Sequence, residues 1–346
     1  MPMTRRNALQ LLGAGAAAGL GAVPRWPALA ASDRALDGHI LGFTLAIHIP
    51  AIVALNEELP KLGYGKPALK RIESMQVVTQ SVVAASTEVG EADIVSAMRA
   101  ADAGGKVKLI GLVYNSTSQV LVVDSNKVRD FKDFEKPENV IALNSKGDFI
   151  YAMLAGVFQK NGVDLDKLTI VDVGGSGSRV KALQSGRVAA IPAHFDQAAA
   201  VMKGGANFTV MVEPWKIYSP WLSEAWLVNA NWLEKPENQR LSVDMLKAVI
   251  TSFRAANANF GYFADGYRKF ATIEGAAKAT DEQLRPLWEH LTQNIKAWPN
   301  DGGFRREYFK ALAPFYQSAG VLRAGAQVDE LVEPRYLDQA LKELGA

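Results

Sequence analysis

Five short polar segments carry residue types suited to gripping a small charged molecule rather than transforming one. His48 stands between an apolar run and Pro50. Gln80-Ser81, Tyr114-Asn115-Ser116-Thr117, Asn144-Ser145-Lys146-Gly147-Asp148 and Ser176-Gly177-Ser178-Arg179 each lie close behind an apolar stretch. Backbone N–H groups and the dipole make a helix start an anion site. Three such starts are expected, at Gln80, near Ser145 and near Ser178. Arg179 suits bidentate pairing with a carboxylate or sulfonate. Bland roles compete at each place: a structural His48, a helix cap at Gln80-Ser81, an N-cap carboxylate at Asp148, an exposed helical Arg179. His194 follows Pro192, and Trp215 opens a Trp-rich stretch with Trp221, Trp226 and Trp232. Trp215 can wall an apolar ligand part, whereas Trp226 and Trp232 read as packing. The expected ligand is therefore a small organic anion, a carboxylate or sulfonate, bound by His48, Gln80, Ser81, Tyr114, Asn115, Ser145, Lys146, Asp148, Ser176, Ser178, Arg179, His194 and Trp215. A cation is expected to bind poorly, because these loops hold few acids beyond Asp148 and Asp196.

Catalytic chemistry finds no constellation. The chain has no cysteine, which excludes thiolate nucleophiles, thiolate metal sites and disulfides. Its four histidines lack metal spacing. Ser176 sits in Gly-Gly-Ser-Gly, which is not a Gly-x-Ser-x-Gly elbow. The same loop lacks the third glycine of a dinucleotide fingerprint. No catalytic residue, metal or cofactor is expected. The formal charge is +2, but residues 1–31 hold Arg5, Arg6 and Arg25 and no acid, leaving −1 for the remainder. Basic residues there are interspersed with acids, so a nucleic-acid surface is not expected.

The elements that must position these residues alternate between strand and helix. Apolar runs at 41–47, 71–77, 93–95 and 106–113 read as buried strands, with helices after Pro50 and over 80–89. A second set follows, with strands at 119–123, 140–143, 168–173, 188–191, 209–212 and 225–228 and helices over 148–160 and 179–184. Such alternation predicts mostly parallel sheets covered on both faces. From about Asn231 onward the pattern is helical. At 346 residues and 49% hydrophobic content, two domains with sizeable cores are expected.

Residues 1–31 read as an export signal: Arg5-Arg6, an apolar run from Leu11 to Val23, then Ala28-Leu29-Ala30. The arginine pair is similar to a twin-arginine signal. A soluble, exported, periplasmic protein is expected.

Several elements carry a family likeness: Gly90-Glu91-Ala92-Asp93-Ile94, Ser145-Lys146-Gly147, Lys181-Ala182-Leu183-Gln184-Ser185-Gly186-Arg187-Val188, and Val328-Asp329-Glu330-Leu331-Val332-Glu333-Pro334-Arg335-Tyr336-Leu337. Together they resemble periplasmic substrate-binding proteins of the nitrate/sulfonate/taurine class of ABC importers. One departure is Ala189, where relatives commonly carry an acid. The resemblance implies an α/β, type II periplasmic-binding-protein (Venus flytrap) fold. Residues 37–122 and 229–346 would form lobe 1, including a helical C-terminal extension, and 123–228 lobe 2. Two crossings, near Ser118 to Val123 and Ser223 to Asn229, would be the hinge. It further implies a monomer that delivers a small molecule to an ABC permease, with the ligand in the cleft beyond the strands' carboxyl ends. The competing functions are an enzyme on the same fold, of the pyrimidine-precursor or desulfination type, and a ligand-presenting sensor subunit.

Overall fold

The computed structural model describes residues 34–204, 207–218, 220–326 and 328–345. The expected export signal lies outside them. Two five-stranded sheets organise the chain. The first contains β1 (Ala35–Leu41), β2 (Gly65–Ile72), β3 (Val89–Asp93) and β4 (Val107–Leu112). The second contains β5 (Gln119–Asp124), β6 (Ile141–Leu143), β7 (Ile170–Asp172), β8 (Ala190–His194) and β9 (Phe208–Val212). The last strand, β10 (Glu224–Asn229), returns to the first sheet.

The orders are β2-β1-β3-β10-β4 and β7-β6-β8-β5-β9. β10 runs antiparallel to both its neighbours, and so does β5. Each sheet thus receives one antiparallel strand delivered by the other lobe's chain, set beside the third strand of a parallel trio. This moves the crossings to 113–118 and 213–223, several residues before the expected positions. The reason is that 119–122 and 224–228 are strand interiors, paired along their length in opposite lobes from those expected.

Helix starts also shift. β2 ends at Ile72, and the apolar run that follows belongs to a helix, Met75–Val83, capped by Ser74. The strand expected over 71–77 is corrected accordingly, since those apolar residues repeat at helical rather than alternating spacing. That helix packs directly on β3: a Cβ at Gly90 would lie 2.7 Å from Val82 Cγ2 and 3.0 Å from Val78 Cγ1. The glycine that marks the family element is needed for this close approach.

The tail is helical, led by Pro236–Ala258, and the 328–337 motif returns to the first lobe. Leu109 N–H donates to Leu331 O at 2.8 Å and Glu333 N–H to Leu109 O at 2.9 Å, which covers the exposed edge of β4. The tail also touches the second lobe. On the helix Arg306–Ser318, Phe315 presses on Gly156 of the second-lobe helix Phe149–Lys160. No helix among the described residues is long and apolar enough to cross a membrane.

Candidate functional site in the cleft between the lobes

The carboxyl ends of the parallel strands in both sheets face one another, and a buried polar cluster fills the meeting place. From the first lobe come His48, Glu91, Tyr114 and Glu224; from the second come Ser118, Gln119, Ser176 and His194, all buried. Their positions follow from topology. His48 ends the turn Ala46–His48 behind β1, where Pro50 opens the next helix. Glu91 lies inside β3, and Glu224 begins β10. Because β10 is antiparallel, its first residue falls at the carboxyl edge of its neighbours.

His48 Nε2 lies 3.2 Å from Glu224 Oε2 and 4.0 Å from Glu91 Oε1. Neither contact is aligned as a hydrogen bond, so Nε2, Glu91 Oε1 and both Glu224 oxygens are left buried without one. Glu91 Oε2 is occupied, accepting from Leu41 N–H at 2.8 Å. His48 Nδ1 accepts from Leu45 N–H at 3.1 Å, so the ring's proton sits on Nε2 whether or not a second is added. Burial opposes a charge on this ring, but Glu224 and Glu91 outweigh it and raise its pKa. Burial likewise pushes Glu91 up to about 7, against the pull of His48. The donor atoms of His48, Glu91 and Glu224 lie within 4.8 Å of one another, a spacing that suits a metal ion. The protonated Nε2 argues against that use, since a ligating imidazole presents a lone pair and donates from its other nitrogen.

Across the cleft the His194 ring lies 5.4 Å from that of His48, and Phe43 stands 5.7 Å from His48 and 5.9 Å from His194. Ser118 Oγ contacts His194 Nδ1 at 2.7 Å, while Nε2 is buried without a partner. Burial, His48 and Arg179 hold His194 well below its ordinary pKa, so it is neutral. Both polar atoms of Gln119 and the hydroxyl of Ser176 are also buried and unpartnered. Buried polar groups are nearly always satisfied, so this convergence makes the cleft the candidate site.

The other expected residues fall in several environments. Gln80 and Ser81 are corrected: they lie late in Met75–Val83, not at its start, with Gln80 exposed and Ser81 Oγ donating to Val77 O at 2.8 Å. Asp148 is the N-cap of Phe149–Lys160, accepting from Tyr151 N–H at 3.0 Å and Ser145 N–H at 3.1 Å. Its own carboxylate therefore fills the anion position expected near Ser145. Ser145 Oγ accepts from Gln76 at 3.3 Å across the cleft rim, and Lys146 is exposed. Asn115 faces the tail, its N–H donating to Ala297 O at 2.7 Å.

The helix expected over 179–184 begins earlier, at Ser176, with Gly175 as N-cap and no side-chain cap. Ser178 is exposed. Arg179 is buried rather than exposed; its Nε donates to Pro192 O at 3.0 Å and Nη1 to Gly174 O at 2.7 Å. Burial lowers its pKa to about 10, with Asp148 opposing, so it stays charged. Trp215 is half-buried, its edge 5.4 Å from His290, which in turn stacks on Phe195 at 4.1 Å. Trp226 is a fully buried core residue, as expected.

Glu91, Glu224, Phe43 and Ser118 were missed as site residues. Glu91 had a signal, lying inside the Gly90–Ile94 family element. Glu224 had none beyond its nearness to the return crossing.

The NMT1/THI5 like family matches residues 69–259, more than half of the chain. The chain belongs to this family. Among curated proteins none matches it by sequence. Solved structures share the fold. The periplasmic nitrate-binding protein NrtA from Synechocystis PCC 6803 superposes with a TM-score of 0.74 at 12% identity, over 91% of this chain and 90% of that one. The alkanesulfonate-binding protein SsuA from Xanthomonas axonopodis pv. citri, bound to MOPS, gives 0.67 at 13% identity over 88% and 100%. A zinc-bound ligand-binding component of an ABC-type import system from Staphylococcus aureus gives 0.70 at 11% identity over 89% and 99%. The two-lobed fold of periplasmic binding proteins, expected from the sequence, is thereby shown.

Proposed function

We propose that this family member is the exported solute-binding component of an ABC importer, capturing a small organic anion between its lobes without chemical change. The observation that carries this is the convergence of buried, unpartnered polar atoms from both lobes: Glu91, Tyr114 and Glu224 facing Gln119, Ser176 and His194. A cleft lined this way releases its desolvation cost only when a ligand supplies partners.

The anionic end is assigned to the start of Ser176–Gln184. Its backbone donors have no side-chain cap, the Ser176 hydroxyl is unpartnered, and the charged Arg179 is fixed in the first turn. Structures that share the fold include a nitrate-binding and an alkanesulfonate-binding protein, which agrees with an anion. Delivery to a permease, a periplasmic location, a twin-arginine route and a monomeric state complete the reading; sequencing the amino terminus of exported material should find Ala31 or Ser32 first.

A thermal-shift and calorimetric panel of alkanesulfonates, carboxylates, nitrate, amines and neutral sugars tests the function. An anion at 100 times its Kd should add about 2.7 kcal/mol of stability. Binding confined to neutral sugars would overturn the reading, as would turnover of a bound compound.

A further inference from the structure

We propose that Glu73 limits the charge of the solute: its carboxylate, carried to the anionic end when the lobes meet, tolerates one negative charge there and rejects a second. The proposal rests on the anion reading above and narrows its ligand to singly charged acids, against phosphate monoesters of the same shape.

Glu73 follows β2 on the first lobe, and its carboxylate spans the seam between the lobes. A Cβ built on Gly42, just behind β1, would collide with its Oε1, and one built on Gly175 of the second lobe would lie 2.9 Å from its Oε2. Gly175 is the N-cap of Ser176–Gln184, the helix whose start is assigned to the anionic end. Phe43, which flanks His48 and His194, lies 3.9 Å from the same Cβ. Glu73 therefore stands where the helix start meets the cleft cluster.

The carboxylate has no partner in this place. Among the described residues it forms no ion pair and accepts no hydrogen bond, so it does not cap the helix. An unpaired acid beside an anion site penalises a doubly charged ligand more than a singly charged one, which is a way to discriminate by repulsion.

The charges at the helix start favour a single negative charge. Arg179 is the only buried lysine or arginine among the described residues, and its charge already acts on the buried Asp148. The helix start adds a partial positive charge of about half a unit. A second negative charge on the solute finds no further buried lysine or arginine and faces Glu73. Because Glu73 belongs to the opposite lobe, the repulsion grows as the lobes approach, and a dianion opposes closure.

Calorimetry on the mature protein at pH 8 tests this with two matched pairs: methyl sulfate against methyl phosphate, and phenyl sulfate against phenyl phosphate. A phosphate monoester, with a second pKa of about 6, is then close to doubly charged. In at least one pair the sulfate should bind 10-fold or more tighter. Glu73→Gln should cut that preference at least fivefold, chiefly by tightening the phosphate, whereas Glu73→Asp, which keeps the charge, should retain most of it. The side chain is exposed, so both variants should fold; circular dichroism checks this, and Glu73→Ser replaces a Gln variant that does not. Equal binding of sulfate and phosphate by the wild type overturns the proposal and leaves the anion reading intact. A preference that survives Glu73→Gln also overturns it. So does equal tightening of both members, which would make Glu73 a competitor for the helix start. If no member of either pair binds, the proposal falls, and the wider panel of anions decides the anion reading by itself.

Discussion

Asp196 is the residue whose removal should most directly open the protein. It belongs to the second lobe, at the start of Phe195–Gly204, yet its Oδ2 accepts from Ala46 N–H of the first lobe at 3.0 Å. Its other oxygen accepts from Gln197 N–H within its own helix. The remaining hydrogen bonds between the lobes near the cleft rim are longer: Gln76 to Ser145 and Arg99 to Gly147 O, both 3.3 Å. A hydrogen bond to a charged group is worth about 1.5–3 kcal/mol. Removing it by Asp196→Ala should lower the closed-to-open ratio by roughly 10- to 150-fold. If the solute binds the closed form, its apparent Kd rises by at most that factor. Asp196→Asn keeps an acceptor without the charge and should lose less. Small-angle scattering without ligand should show a larger radius of gyration for Asp196→Ala, and calorimetry the weaker binding. An unchanged radius together with a Kd within twofold of the wild type would refute the latch.

Two further perturbations probe the site and the core that holds it. Burial raises the Glu91 pKa from its ordinary 4.5 to about 7, so the folded protein holds this proton more tightly than the unfolded chain. The stabilisation is therefore complete below about pH 4.5 and is lost as pH rises through about 7, at up to ~1.4 kcal/mol per pH unit. Glu91→Gln cannot titrate, so in denaturant unfolding its stability relative to the wild type should improve between pH 5 and 8; a constant difference would rule the argument out. Gly90→Ala should lose about 1–3 kcal/mol, because its Cβ would meet Val82 at 2.7 Å and Val78 at 3.0 Å. A denaturant midpoint equal to the wild type's would show that the helix Met75–Val83 can back away from β3.

The sheets are legible in the sequence where strands are mostly apolar, as in β4 and β5, and the return of the 328–337 motif is readable as a family element. It misplaced the crossings because a buried strand looks the same whichever sheet it joins; only pairing shows that β10 lies beside β3 and β4. The same fact explains the site. A search of loops behind strands finds His48, Tyr114, Ser176 and His194, which do converge. It passes over Glu91, inside a strand, and Glu224, whose place at the carboxyl edge exists only because β10 runs backwards. Asp148 and Arg179 are residue types suited to ligand contact, yet Asp148 caps a helix and Arg179 ties Gly174 to Pro192, which fixes its charge at the helix start. Capping and ligand contact use the same residue types at the same spacing. What separates them is whether a neighbouring backbone group already takes the polar atom, and that is a property of the folded chain. In Glu91 the separation falls within one side chain: Oε2 holds Leu41 N–H and fixes the carboxylate, which leaves Oε1 aimed and unpartnered towards His48.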